Sequence, residues 1–148
     1  MIIREMSHSD CIAMLAKSRV GHLACSRENV PYVVPVQFRY TDNRIVSFSL
    51  PGQKIDWMRT NPRVCLEIEH IIDKHNWKCL IVNGVFDEQT QTEQRELAWS
   101  ALQTDNDWWE PGSSKPGPQA IASDRNHVFY AIDIRDMSGR QAFDQQAQ

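Results

Sequence analysis

The sequence predicts a mainly β fold, six antiparallel strands closed into a small barrel with short flanking helices. Three observations carry this. Extended segments rich in β-branched and aromatic residues recur along the chain, the first three are joined by turns of a few residues, and strands do not alternate regularly with helices. A parallel sheet needs long crossovers, so short turns mean antiparallel pairing. Closing six strands into a barrel also removes exposed edges.

The elements follow in order. Ser7 with Asp10 resembles a capping box, Asp replacing the more usual Glu, and opens a helix with Cys11, Met14 and Leu15 on its apolar side. Residues 20–26 form the first strand, with Glu28-Asn29 as the turn after it. Residues 32–40 are strongly β-favouring, and alternation sends Val34, Val36, Phe38 and Tyr40 one way and Val33, Pro35, Gln37 and Arg39 the other. Pro35 cannot donate to a ladder, which marks a bulge, an edge or a stretch opened for a ligand. Thr41-Asp42-Asn43 turns the chain into a third strand, 44–50. A brief helix over 53–59 stops at Asn61-Pro62.

Val64, Leu66 and Ile68 alternate with Cys65, Glu67 and Glu69 in a half-buried strand, Glu67 and Glu69 forming its wet side. Residues 77–86 give another strand with Gly84 at a bulge or close contact. Residues 92–103 are helical in pattern, with Leu97, Ala98, Ala101 and Leu102 on the packed side. A Pro/Gly-rich loop begins at Trp108-Trp109 and runs through Pro116-Gly117-Pro118; the two tryptophans are expected to pack the loop across the barrel or a dimer contact. Residues 127–134 are the last strand, and a polar tail frays from about 141.

Composition narrows the function. The 148 residues are 41% apolar and 24% charged with a net charge of -3, a globular balance with no basic field for a nucleic-acid backbone. The opening MIIREMSHSD does not resemble a secretory signal, and no apolar run approaches the roughly 20 residues that cross a bilayer. One cytoplasmic domain over 1–148 is expected, without membrane or nucleic-acid partners. Cys11, Cys25, Cys65 and Cys79 form no C-x-x-C pair and have apolar neighbours, so buried free thiols are expected. No histidine spacing names a metal site.

The segment 47–59 carries the most chemistry. A strand ends at Leu50, breaks at Pro51-Gly52 and restarts as a helix with Lys54 in its opening turn. Such a corner gathers backbone N–H groups, small hydroxyls and a cation, which suits an oxyanion such as phosphate; the alternative is an ordinary strand-to-helix corner.

Six segments then fall in a familiar order: Gly21-His22-Leu23-Ala24, Pro31-Tyr32-Val33-Val34-Pro35-Val36, Phe48-Ser49-Leu50-Pro51-Gly52-Gln53-Lys54, Asn61-Pro62-Arg63-Val64-Cys65, the 77–84 strand ending in Gly84, and 129–139. Together they resemble the pyridoxamine 5'-phosphate oxidase-like flavin-binding split barrels, in the branch of the nitroimidazole-resistance proteins, over about residues 7–140. The resemblance implies a homodimeric FMN-dependent oxidoreductase with two FMN at the subunit interface. NADH or NADPH would be the electron donor and a small organic acceptor, nitroaromatic or quinone-like, the substrate. It places Ser49, Gln53 and Lys54 near the ribityl phosphate, Val34, Pro35, Val36 and Gln37 along the isoalloxazine ring, and the partner's Trp77 as a closing wall. Trp57 is either a pocket wall or core. Arg59 and Arg63 are candidates for neutralising phosphate, one of them being expected in a surface ion pair. Some members of the superfamily bind haem or a deazaflavin, and a non-catalytic flavin- or haem-binding sensor, with His70 or His127 as axial ligand, is the alternative. Two departures stand out: Ala131 where a basic residue is expected, and Val85 in place of an arginine after Gly84. Both weigh against oxidation of pyridoxamine 5'-phosphate itself, and no catalytic proton donor is named.

Overall fold

The computed structural model describes residues 1–103 and 126–145. Among these, eight strands and three helices run in the order β1 (Ile2–Glu5), α1 (His8–Lys17), β2 (Val20–Arg27), β3 (Val30–Gln37), β4 (Arg39–Thr41), β5 (Arg44–Ser49), α2 (Gln53–Thr60), β6 (Arg63–Asp73), β7 (Asn76–Gln89), α3 (Thr92–Leu102) and β8 (Val128–Phe143). All strand pairs are antiparallel, in the order β3-β2-β6-β7-β8-β5-β4, with β1 added on β8. The fold is therefore mainly β, as expected, but with eight strands and not six. β1 was not foreseen, and the 32–40 stretch divides at Phe38 into β3 and β4. The loop containing Trp108 and Trp109 lies outside the described residues.

Local chemistry sets the elements. The Ser7 hydroxyl accepts the Asp10 N–H at 3.1 Å and starts α1. Glu28-Asn29 and Asp42-Asn43 each put two successive residues at positive φ, between 50° and 67°, which matches the right-handed twist of the hairpins they close. Asn61 ends α2 and donates its side-chain amide to the Ser26 carbonyl at 3.1 Å, tying the helix to β2.

The alternation of β6 is borne out: Val64, Leu66 and Ile68 are buried in the barrel with Leu23, Leu80 and Val82. Ile55 and Met58 of α2 cap this core at one end. A second apolar layer lies outside the barrel, where α3 covers β5 and β8. Trp99 meets Phe48 edge-on with ring centroids 5.2 Å apart, and Phe48 stacks on Phe129 at 5.4 Å. The packed side of α3 is thus Ala98, Trp99 and Leu102, while Leu97 is 67% exposed, contrary to the sequence reading.

β8 continues well past Ile134. Gln141, Ala142 and Phe143, in the tail expected to fray, pair with Arg4, Ile3 and Ile2 of β1. Gly84 does sit at a bulge: the β7–β8 register slips between Asn83 and Gly84. A Cβ there would lie 2.5 Å from Ile132 Cγ2 and 2.6 Å from the Asp133 carbonyl oxygen, so only glycine allows the close approach. No helix among the described residues is long and apolar enough to cross a membrane.

Candidate functional site

The sheet almost closes, and the place where it fails to close positions the site. β3 pairs with β2 along one edge; among the described residues its other edge carries no strand. At the Gln37 end the Ser47 hydroxyl donates to the Gln37 carbonyl at 2.6 Å, stitching β3 to β5. Beyond that bond the two strands part, and α2 fills the gap, with Trp57 against Tyr32 at a centroid distance of 5.6 Å.

The turn from β5 into α2 lies at the mouth of this gap. Leu50 and Gly52 face solvent, and a Cβ built on Gly52 meets nothing within 4 Å. Gly52 is the residue before the first turn of α2, and no side chain caps that turn. The leading N–H groups of the helix are therefore offered to whatever occupies the corner. Ser49 donates its proton to the neighbouring Leu50 carbonyl at 2.7 Å and does not cap the helix.

Lys54 stands in the same turn, half-buried, and no carboxylate pairs with it among the described residues. Burial lowers its pKa, an effect partly offset by the nearby Cys25 thiol. A cation taken partly out of water without a counter-ion has a deficit that an anionic ligand removes. Cys25 was grouped in sequence only with the buried thiols; its neighbourhood with Lys54 comes from the packing of α2 on β2.

Of the ring-wall candidates, Val34 and Val36 point into the barrel, Pro35 is exposed, and Gln37 is buried. The Gln37 Oε1 atom has no hydrogen-bond partner among the described residues. A bare buried acceptor costs roughly 1–3 kcal/mol unless water or a ligand donates to it. Gln53 is exposed at the helix start. Trp57 is half-buried and packs on the core as well as on Tyr32, so it serves both readings.

Trp77 is not brought to this corner within one chain. It opens β7, whereas Glu88 near the other end of that strand pairs with Arg59 of α2 at 2.7 Å. The two lie eleven positions apart on the strand, roughly 35 Å at 3.3 Å per residue. Arg59 is thus the surface ion-pair member of the Arg59/Arg63 couple. Ala131 is fully buried between Val46 and Asp87, a position with no room for a basic side chain.

The cysteines are all free, Cys11 and Cys25 buried but Cys65 and Cys79 only half-buried. The last two lie on the outer face, where Cys79 donates to Glu67 at 3.6 Å and Glu67 also meets His22 Nδ1 at 3.1 Å. Glu69 adds its carboxylate to within 4.8 Å of that His22–Glu67 pair. This grouping is cross-strand and was invisible to sequence spacing.

An antiparallel barrel split between β3 and β5, with an uncapped helix start and a lysine that no described carboxylate pairs at the split, is the class that fold and corner define. The chain belongs to the family described as pyridoxamine 5'-phosphate oxidase, whose profile matches residues 7–141. It is similar to an uncharacterized protein of Rhizobium meliloti (strain 1021), 40% identical over 146 residues that span 96% of this chain and 97% of the relative. Among solved structures it is similar to a FAD-binding protein from Mesorhizobium loti, 39% identical with a TM-score of 0.80, covering 96% of this chain and 99% of that one. A protein from Bacteroides thetaiotaomicron, provisionally named a 5-nitroimidazole antibiotic resistance protein, shares the fold at 16% identity and a TM-score of 0.72, over 95% of this chain and 89% of that one.

Proposed function

We propose that the protein is a flavin-dependent oxidoreductase that holds FMN at the β5–α2 corner and acts as a homodimer. The observation that carries the reading is the half-buried Lys54, without a carboxylate partner among the described residues, in the uncapped first turn of α2 beside the edge of β3 that no described strand pairs. The name of the Mesorhizobium loti relative, a FAD-binding protein, supports a flavin and makes FAD the competing form.

Lys54 and the leading N–H groups of α2 bind the phosphate next to the ribityl chain. Ser49 and Gln53 add neutral hydrogen bonds. The β3 segment Val34, Pro35, Val36 and Gln37 orients the ring, and the Gln37 Oε1, bare among the described residues, accepts a hydrogen bond from the ligand or its water. When bound, a flavin supplies hydride or electron transfer, so the chain has no need of its own nucleophile. NADH or NADPH is the proposed donor and a nitroaromatic or quinone-like molecule the acceptor.

The second subunit enters through Trp77, which closes the pocket only if another copy brings it there. Exposed apolar side chains on the outer face fit such a contact: Val33 is 61% and Ile72 72% exposed.

An absorbance spectrum of the purified protein, followed by addition of FMN and of FAD to the apoprotein, tests the binding. Anaerobic stopped-flow with NADH, NADPH and a nitroaromatic tests the turnover. Fast reduction and reoxidation by the acceptor support the oxidoreductase; bound flavin without either leaves a sensing module, and no recruitable flavin overturns the reading.

A further inference from the structure

Beside α2, residues of β2, β3, β6, β7 and β8 line an open cleft of about 740 Å3, with Cys25, the neighbour of Lys54, at its edge. Ser26, the residue to which Asn61 ties the helix, forms one wall, and Arg63 and Arg135 form others. The volume is that of an ordinary small-molecule site.

The bulge between β7 and β8 makes this cleft basic. Asn83 pairs with Asp136 and Gly84 with Ile134, so Arg135 is the extra residue without a partner opposite it. In a regular strand residues 135 and 136 would face opposite sides of the sheet; at the bulge both line the cleft. Asp136 makes no ion pair with the arginine, and the cleft keeps two guanidinium groups against one carboxylate. The Asp136 carboxylate accepts the Asn83 side-chain amide at 3.0 Å.

Other arginines of this region are paired. Arg44 bonds Asp133 at 2.7 Å and also Asp87, and Arg59 bonds Glu88. The guanidinium groups of Arg63 and Arg135 make no hydrogen bond or ion pair with any described residue. Two planar, always-charged forks on one cleft match a phosphate or carboxylate, and Pro31 and Val85 supply an apolar wall beside them.

We propose that this cleft binds a small organic anion, an aryl phosphate or aryl carboxylate, with its acidic group on Arg63 and Arg135 and its flat body against Pro31 and Val85. Ser26 and the Asn83 amide fix its orientation by neutral hydrogen bonds. The site is argued from Arg63 and Arg135 and not from Lys54, although it adjoins the β5–α2 corner: Cys25, which lines the cleft, lies beside Lys54, and Pro31 belongs to β3.

Calorimetric titration of the full chain with phenyl phosphate, benzoate and neutral phenol tests the site, in the wild type and in Arg63→Gln, Arg135→Gln and Lys54→Ala. Both anions bind the wild type and phenol does not. Each arginine change lowers anion affinity roughly tenfold, the worth of one charge-assisted contact, and by more than Lys54→Ala does. Both arginines are exposed, so their replacement leaves the melting temperature where it was. Absence of anion binding in the wild type overturns the proposal. So does phenol binding as tightly as the anions, or a loss confined to Lys54→Ala, which would put the anion at the β5–α2 corner.

Discussion

The Ser47 hydroxyl and the Gln37 carbonyl, 2.6 Å apart and both buried, mark the last point at which β3 and β5 are joined. On one side of this bond the chain passes through Phe38 into β4 and the barrel closes. On the other the strands part and α2 enters. The corner where a ligand would sit exists because the ladder stops there.

Ser47→Ala removes that stitch and leaves the Gln37 carbonyl buried without its donor. A loss of about 1–3 kcal/mol is expected in urea unfolding. An unchanged midpoint would mean that the β3–β5 junction is held by apolar packing alone.

Gly84→Ala forces a methyl group against Ile132 and the Asp133 backbone at the bulge. The main chain cannot yield as a flexible side chain would, so a destabilisation of about 2 kcal/mol or more is expected. A variant that melts with the wild type would show that β7 and β8 are farther apart in solution.

Tyr130 lies fully buried beside Ser47, and burial pushes its phenol up from 10 to about 12, only slightly countered by the Ser47 hydroxyl. Between these values the unfolded chain has released the proton and the folded chain keeps it. Stability therefore falls as pH rises from about 10 towards 12, by up to about 3 kcal/mol from this group. Tyr130→Phe removes that part of the alkaline loss, seen as a shallower fall of denaturant midpoint with pH. Identical slopes in the two proteins would contradict it. The same change leaves stability at neutral pH within about 1 kcal/mol or raises it, because Ser47 already donates its hydrogen bond to Gln37 and the Tyr130 hydroxyl has no partner of good geometry among the described residues.

Much of this architecture is legible in the chain. Strict alternation at Val64, Leu66 and Ile68, the Ser7 cap and the Asp42-Asn43 turn are local signals, and each acts as its residues dictate. What was missed depends on distant partners. β8 beyond Ile134 is too polar to announce a strand, yet Arg135, Asp136, Ser138 and Arg140 occupy an exposed face while β1 and β7 supply the ladder. β1 is four residues long and has no periodicity to read. On α3 two apolar stripes compete, and the one containing Trp99 is buried because Phe48 and Phe129 wait beneath it. At the candidate corner, Lys54 and its helix start were visible, whereas Cys25, the bare Gln37 amide oxygen and the distance to Trp77 needed the fold.

Light scattering of the flavin-loaded protein at micromolar concentration is expected to give about twice the mass of one chain. A monomer that keeps its flavin fully bound would remove the partner's Trp77 from the site and confine the pocket to the β5–α2 corner.

The most direct test sets FMN against riboflavin, which lacks the phosphate, in equilibrium titrations of the wild type and Lys54→Ala. The account predicts that the substitution weakens FMN by about 10- to 150-fold, the worth of a partly buried charged contact, and changes riboflavin little. Because burial lowers the pKa of Lys54, the FMN preference of the wild type should also fade at a lower pH than for an ordinary lysine, and the variant should show no such dependence. Equal losses for both ligands, or no loss for either, would contradict the assignment of Lys54 to the flavin phosphate.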